Sequence, residues 1–408
     1  MAIGIGTNRD SWSINYSYIS LAKNIATLIS GYNTEKDAYH SELLNNSELD
    51  IQDFLEKRTA NVSWTRALRR KAVNNDSIAF DDSAIKNIAY RPFSKQNLYY
   101  AKDLVESPGV FNQLMPTTST HNLFIGVDAK NGGFPILTQY LADLHYNGDT
   151  QCFPLYWYEE NKVQEQSLFD FGTDFSDKYI RRDGITDWIL KEVRKRFGNS
   201  KVITKEHIFY YVYGILHSPH YRERFAADLK KSLPRIPIVD NVEDFMAFYK
   251  AGKALADLHL NYEQVPPSPE VVPIVADAVY SEPTSDDPTG GYTQYEHFRV
   301  NKMTFPKVRN EAGKLIPDKS RIIYNGNITI ENIPAKAYEY IVNGKSAIEW
   351  IMERYAVTQD SKSLIVNDPN DWSKEHHNPT YIFDLLLSII NLSVQTVDIV
   401  NSLPKLEL

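Results

Sequence analysis

The side chains of this chain that could do chemistry are mostly cations. Residues 178–235 hold 14 Lys and Arg against 6 Asp and Glu, a local net charge of +8 in a chain whose total is −8, so the remainder carries −16. Attraction to a polyanion depends on the field within a Debye length, about 8 to 10 Å in ordinary salt, and not on the total charge. The bipolar distribution is therefore compatible with a phosphate-bearing partner, although charge runs on helices commonly just face water. The candidates here are Arg181, Arg182, Arg194, Lys195, Arg196, Lys201, Arg222 and Arg224. A second positive patch, Lys57, Arg58, Arg66, Arg69, Arg70 and Lys71, surrounds Trp64. A third candidate is Arg91, in the turn Tyr90-Arg91-Pro92-Phe93. A stiff backbone there would hold the guanidinium for a bidentate contact to phosphate or guanine, or equally for a neighbouring carboxylate.

Other chemistries find little support. The sequence has no phosphate-cradling GxxxxGK[ST] or GxGxxG loop, no GxSxG nucleophile elbow and no HExxH zinc motif. His217 and His220 are three residues apart, but no third ligand lies near them in sequence. Asn378-Pro379-Thr380-Tyr381 is similar to the Asn-Pro-Pro-Tyr with which amino-methyltransferases hold a flipped base. Thr380 replaces the second proline, the run opens an apolar helix instead of closing a strand, and no glycine loop precedes it, so a helix start is the better reading. Arg9 and Asp10 at the opening turn read as a local ion pair.

The elements that must position these cations divide the chain. Residues 204–237 read as a central helical hairpin: Thr204 caps an aromatic first arm (Phe209, Tyr210, Tyr211, Tyr213), and Ser218 with Pro219 starts a basic second arm that Pro234 and Pro237 end. Before it, Ile185, Trp188, Ile189, Val193 and Phe197 fall on one face of a helix, with Lys191, Arg194, Lys195 and Arg196 over the rest. Helices are also expected over residues 20–30, 53–74, 239–261, 337–356 and, as one or two apolar helices, 381–403. Residues 77–100 change period and predict two short strands around Arg91-Pro92. Residues 122–157 predict antiparallel strands with turns at Gly132-Gly133 and Asn147-Gly148. Residues 164–177 read as a polar connection, and residues 265–291 as a Pro- and Asp-rich linker ending at Asp286-Asp287-Pro288-Thr289-Gly290-Gly291. A small β unit turning at Asn325-Gly326 follows, and residues 367–372 read as a turn cluster.

The fold class is thus α+β: a mixed, multi-lobed domain with antiparallel sheet regions and the basic helical hairpin at its centre. The expected divisions are 1–45 (an N-terminal segment), 46–175 (a β-rich lobe), 176–262 (the basic helical lobe), 263–292 (the linker) and 293–408 (a smaller α/β lobe with C-terminal helices). A single cysteine, Cys152, excludes an internal disulfide framework, which points to a reducing compartment. No run reads as apolar enough to cross a bilayer, so no membrane partner is expected. The opening looks like a methionine placed before internal turn-and-strand material, which predicts a piece of a longer polypeptide.

Four stretches together resemble one family. The run HSPHYRERFAADLKKSLPRIP, the turn AYRPFSKQNLYY, the block YIVNGKSAIEWIMERYAVTQDSKSLIVNDPNDW and the opening GTNRDSW are similar, in this order-preserving set, to the C-terminal specificity region of type ISP restriction-modification enzymes. The resemblance covers nearly the whole chain. Such enzymes join a nuclease, a helicase motor, an N6-adenine methyltransferase and a target recognition domain in one bacterial, cytoplasmic polypeptide. It implies that this chain is the target recognition part and is itself without a catalytic site. Its partners would be double-stranded DNA and the methyltransferase and helicase modules; the alternative is a structural coupling domain that docks those modules without reading DNA. S-adenosylmethionine, ATP and Mg are implied only for the other modules, with no cofactor in this segment. Within that reading, Arg66, Arg69, Arg70 and the cations of residues 178–235 would hold phosphates, while Arg91, Lys95, Gln96 and Asn97 have the side-chain types to reach base edges. Arg222 and Arg224 could instead be ion-pair partners inside a helical bundle.

Overall fold

The computed structural model describes residues 1–58, 62–117, 119–128, 135–161, 178–281 and 292–406. The turn expected at Gly132-Gly133, the connection at 164–177 and the linker's end at 286–291 lie outside them. The first long helix, α1 (Tyr18–Leu43), starts where the Ser17 hydroxyl accepts from the Ser20 amide. It buries Leu21, Ile25, Leu28, Ile29 and Tyr32 at helical spacing and runs well past residue 30. The extension holds because its inward polar residues are satisfied. Glu35 pairs with Arg58 at 2.7 Å, and Lys36 Nζ donates to Asn75 and Ser77. Residues 53–74 form two short helices instead of one, α2 (Ile51–Glu56) capped by Asp50 and α3 (Arg66–Val73) capped by Thr65.

Two four-stranded sheets form from the strand-like runs of the first 160 residues. β1 (Ala2–Ile3) pairs with β8 (Thr150–Pro154), which pairs with β5 (Phe124–Asp128) beside β6 (Ile136–Thr138), all antiparallel. The second sheet orders β2 (Ile14–Asn15), β4 (Ser94–Tyr99), β3 (Ile85–Arg91) and β7 (Leu141–Ala142), with β7 parallel to β3. The β3–β4 turn is the expected one, bulged between Ala89 and Arg91, with Phe93 at φ 57°. β9 (Tyr156–Glu160) and β10 (Tyr179–Asp183) form a separate ribbon.

The helical middle consists of α4 (Asp187–Arg196), α5 (Lys205–His217), α6 (Pro219–Arg224) and α7 (Val242–Leu260). Thr204 caps α5, and Ser218 caps α6 with Pro219 in its first turn, as the residue types require. The basic arm is shorter than its sequence suggests. α6 ends at Arg224, one further turn covers Ala226–Leu229, and the chain is already irregular before Pro234. The main partner of the aromatic arm is α7: His207 lies against Tyr249, Tyr211 against Phe245, and His217 against His259. Glycines set that approach. A Cβ on Gly252 would lie 1.9 Å from the Tyr210 carbonyl oxygen, and one on Gly214 2.2 Å from that of Phe248. Full burial of Tyr213, Ile215, Phe245 and Phe248 across this pair contributes roughly 1.5 to 3 kcal/mol per side chain.

The last third carries β11 (Val272–Val275), β12 (Lys307–Arg309), β13 (Leu315–Pro317), β14 (Ile322–Ile323) and β15 (Ile328–Glu331), with β11, β15 and β14 in one sheet. β14 and β15 flank the Asn325-Gly326 turn as expected. β16 (Ile341–Val342) and β17 (Lys345–Ser346) turn at Asn343-Gly344, both at positive φ, and β18 (Thr358–Gln359) pairs with β19 (Val366–Asn367). The longer helices are α8 (Ala347–Arg354), α9 (Pro369–Glu375) and α10 (Tyr381–Asn401). The turn cluster at 367–372 thus proves to be a helix start, with Asp368 as cap and Pro369 in the first turn. α10 is long and apolar enough to cross a membrane, contrary to the sequence reading, but most of its apolar stretch is buried inside the protein. It is the hub of a continuous cluster that joins Ile5, Phe93 and Phe124 to Ile348, Leu386 and Ile390. The chain is mixed α+β, with several small antiparallel sheets.

Candidate nucleic-acid interface

The fold sorts the fifteen side chains that the sequence offers for DNA contact into three groups. On α3, Arg66 and Arg70 are exposed and Arg69 is half-buried, and none has an ion-pair partner among the described residues. Their neighbour Lys71 is tied to Asp103 at 2.9 Å. Lys195 and Lys201 are likewise exposed and unpaired among the described residues, as is Lys191 one turn before Lys195. These side chains present charge that no carboxylate among the described residues neutralises.

The second group is positive and, apart from Arg224, committed to the scaffold. Arg194 donates from Nε and Nη2 to the Ile203 carbonyl at 2.9 and 2.7 Å, closing the loop between α4 and α5. Arg196 donates from Nε to the Val239 carbonyl and pairs with Asp240. Arg182 pairs with Glu159 across the β9–β10 ribbon, and the Arg181 guanidinium sits 4.3 Å from the centre of the Tyr156 ring. Arg222 is half-buried, and that burial lowers its pKa. Arg224 is exposed beside the Phe225 ring.

The third group lies at the β3–β4 turn, where the donors and acceptors are used inside the fold. Arg91 Nη1 donates to Asp143 at 2.6 Å and its guanidinium lies 4.0 Å from the Tyr90 ring centre, so the carboxylate alternative is the one realised. Burial pushes the Asp143 carboxyl up to about 6, despite Arg91 pulling the other way. Lys95 pairs with Glu263 at 3.0 Å. Gln96 is only 3% exposed and accepts from Asn367, and Asn97 donates to the Tyr16 carbonyl. Sequence spacing brought these four together on one turn; the fold covers that turn with residues far along the chain.

Two other expectations change. Arg9 and Asp10 are not paired with each other. Arg9 has a fully buried side chain that donates to Thr65 and lies 3.6 Å from Glu106, with its pKa lowered to about 10 by desolvation, while Asp10 accepts from Thr7 and Tyr90. A cavity of about 550 Å³ lies beside this segment, lined by Thr7, Asp10, Asp143, His145 and Lys362 among others. Trp188, expected on the apolar face of α4, is 70% exposed. It precedes Lys191 and Lys195 by three and seven residues and so shares their face, about 100° and 140° around the helix from Ile189 and Val193. His217 is buried with Nδ1 against the Tyr213 carbonyl, and no group of three His, Cys, Asp or Glu could hold a metal among the described residues.

Sequence reasoning missed one candidate altogether. β12 and β13 form an isolated hairpin carrying Lys307, Arg309 and Lys314, with Arg309 and Leu315 directly cross-strand. The signal was present in Glu311-Ala312-Gly313, a three-residue turn between Asn310 and Lys314 that ends in a glycine at φ 74°.

Comparison with known proteins places this scaffold. Residues 1–385 match the family model described as the type ISP C-terminal specificity domain. The chain belongs to that family. The specificity domain is also similar over its whole length to three solved structures. One is a nuclease-deletion mutant of the type ISP restriction-modification enzyme LlaGI in complex with a DNA substrate mimic, at 33% identity and a TM-score of 0.77. The second is the ATP-dependent type ISP enzyme LlaBIII bound to DNA, at 30% and 0.79. The third is a DrdV–DNA complex, at 26% and 0.78. The specificity domain spans 33%, 23% and 36% of those respective chains. A search of curated protein sequences found no match.

Proposed function

We propose that this chain recognises a short, asymmetric sequence in duplex DNA and so directs a methyltransferase, a motor and a nuclease carried elsewhere in one polypeptide. The observation that carries the reading is the end-to-end similarity of this domain to a part of enzymes solved with DNA, combined with unneutralised cations on α3 and α4. Arg66, Arg69, Arg70, Lys191, Lys195 and Lys201 supply the non-specific, phosphate-directed share of binding. Arg194 and Arg196 act as positioning residues for the loops that border them. The turn residues Arg91, Lys95, Gln96 and Asn97 brace the sheet and leave base edges to other side chains. Methylation of adenine, with S-adenosylmethionine, and ATP- and Mg-dependent cleavage belong to the other modules, and a bacterial cytoplasm is the compartment this activity requires.

The test is duplex binding by fluorescence anisotropy across a salt series. Engagement of six phosphates gives a slope of log affinity against log salt near −5, at about 0.9 per phosphate. No binding at low salt would overturn the reading. A second role, docking of a neighbouring module, is favoured by an apolar cleft of about 460 Å³ lined by Leu114, Phe153, Trp157, Phe209 and Ile236 among others. Reversal of Lys191 and Lys195 to Glu separates the two: loss of DNA binding supports recognition, and loss of docking alone supports coupling.

A further inference from the structure

The hairpin of β12 and β13 has no packing role that explains it. Its strands form a two-stranded sheet that pairs with no other strand among the described residues, and every residue from Lys307 to Pro317 is exposed except the half-buried Val308. Leu315 and Ile316 stay 53% and 37% exposed, so the hairpin adds little to the core. A lone two-stranded ribbon is marginal in water. This one is stapled locally. The Gly313 amide donates to the Asn310 carbonyl, Asn310 Oδ1 accepts from the Lys314 amide, and Gly313 takes the left-handed conformation that closes the turn. At its base the Asp318 amide donates to the Pro306 carbonyl, and Phe305 packs on the core. The result is a fixed blade projecting from the body.

Its chemistry is cationic in a region where the chain is otherwise acidic. From Lys302 to Lys319 there are five Lys and Arg and two Asp and Glu. The register puts Lys307, Arg309, Leu315 and Pro317 on one face. Arg309 is held as well as presented: its Nη1 donates to the Gly313 carbonyl at 2.8 Å, leaving Nε and Nη2 without a partner among the described residues. Those two N–H groups form the parallel edge of a guanidinium, the geometry that meets the O6 and N7 acceptors of guanine. Three-residue strands rise about 10 Å, and a two-stranded ribbon enters a major groove about 12 Å wide.

We propose that this hairpin is a base-reading element of the domain, with Arg309 donating to a guanine in the major groove and Lys307 bound to a phosphate beside it. The inference rests on the DNA-recognition reading above and adds to it the residue that carries sequence information. The test uses the full 408-residue chain and a randomised duplex pool. Wild type, Arg309→Ala, Arg309→Lys and Lys307→Ala are each put through selection, and affinities are then measured on the selected and a scrambled duplex. Arg309→Ala should lose preference at one G·C pair, weakening the selected duplex by roughly 5- to 150-fold while leaving the scrambled one nearly unchanged. Arg309→Lys should not restore the preference, and Lys307→Ala should weaken both duplexes alike. An unchanged motif in Arg309→Ala, or an equal loss on both duplexes, overturns the assignment while the domain's DNA binding stands. Failure of the wild type to retain any duplex at low salt removes both. Unchanged thermal melting of the variants, expected for so exposed a hairpin, keeps misfolding out of the comparison.

Discussion

The arginines of α3, two exposed and one half-buried, give the most quantitative handle on the phosphate-directed share of binding. Replacing Arg66, Arg69 and Arg70 together by Gln removes three cations without disturbing a described ion pair and keeps helix propensity nearly constant. If each neutralises one phosphate, the salt slope falls by about 2.7 units, at about 0.9 per contact. Between 50 and 200 mM salt the wild type then loses roughly 40-fold more affinity than the triple variant. Stability changes little, because surface substitutions cost within about 0.5 kcal/mol each, plus the interaction of Arg70 with the C-terminal end of the helix. Lys71→Gln is the internal control. Its ammonium is 2.9 Å from Asp103, so its removal should change the slope by far less than one unit. Anisotropy titrations of one labelled duplex at four salt concentrations provide the readout. A triple variant whose slope equals that of the wild type would refute the assignment of α3 to phosphate binding.

Two further expectations concern residues the fold has committed elsewhere. Arg194→Met should lower stability by about 1.5 to 3 kcal/mol in urea unfolding, since two charge-assisted bonds to the Ile203 carbonyl are lost, while the salt slope of DNA binding stays within one unit of wild type. A slope that collapses with unchanged stability would make Arg194 a phosphate contact instead. Asp143 should give stability a pH dependence of a particular sign. Its folded-state carboxyl titrates near 6, above the ordinary value near 4, so the folded chain holds this proton more tightly than the unfolded one. The resulting cost is absent below the unfolded value, develops as pH rises through about 4 to 6, and is complete above the folded value. Urea midpoints of Asp143→Asn should therefore vary less across that window than those of the wild type; parallel curves would contradict the assignment.

Much of the architecture was legible because its signals are local. Thr204, Ser218 with Pro219, and Asn325-Gly326 each fix a backbone feature within a few residues, and all three sit where their types demand. The length of α1 and the partner of α5 were not legible, since both depend on long-range satisfaction. Glu35 and Lys36 interrupt the apolar pattern of α1 and are harmless only because Arg58, Asn75 and Ser77 reach them. α5 chooses α7 through the close approach at Gly214 and Gly252, a contact between residues 38 apart that no window of sequence displays. The same logic governs the interface. Composition located the positive patch at α4 but could not say that Arg194 and Arg196 bind carbonyls while Lys195, between them, faces water. Arg91 and Gln96 looked presented on a turn, and Asp143 and Asn367 close over them. The hairpin bearing Arg309 went unnoticed because its modest charge is diluted in an acidic region and its exposure is a tertiary fact.

Sequence-selective recognition of duplex DNA is tested most directly by one ratio, the affinity of the 408-residue chain for a duplex enriched from a random pool against a scrambled duplex of the same composition at physiological salt. A specificity domain should enrich one asymmetric motif and bind it at least about a thousandfold more tightly than the scrambled duplex. Equal affinity for the two, with no motif emerging, would contradict the account.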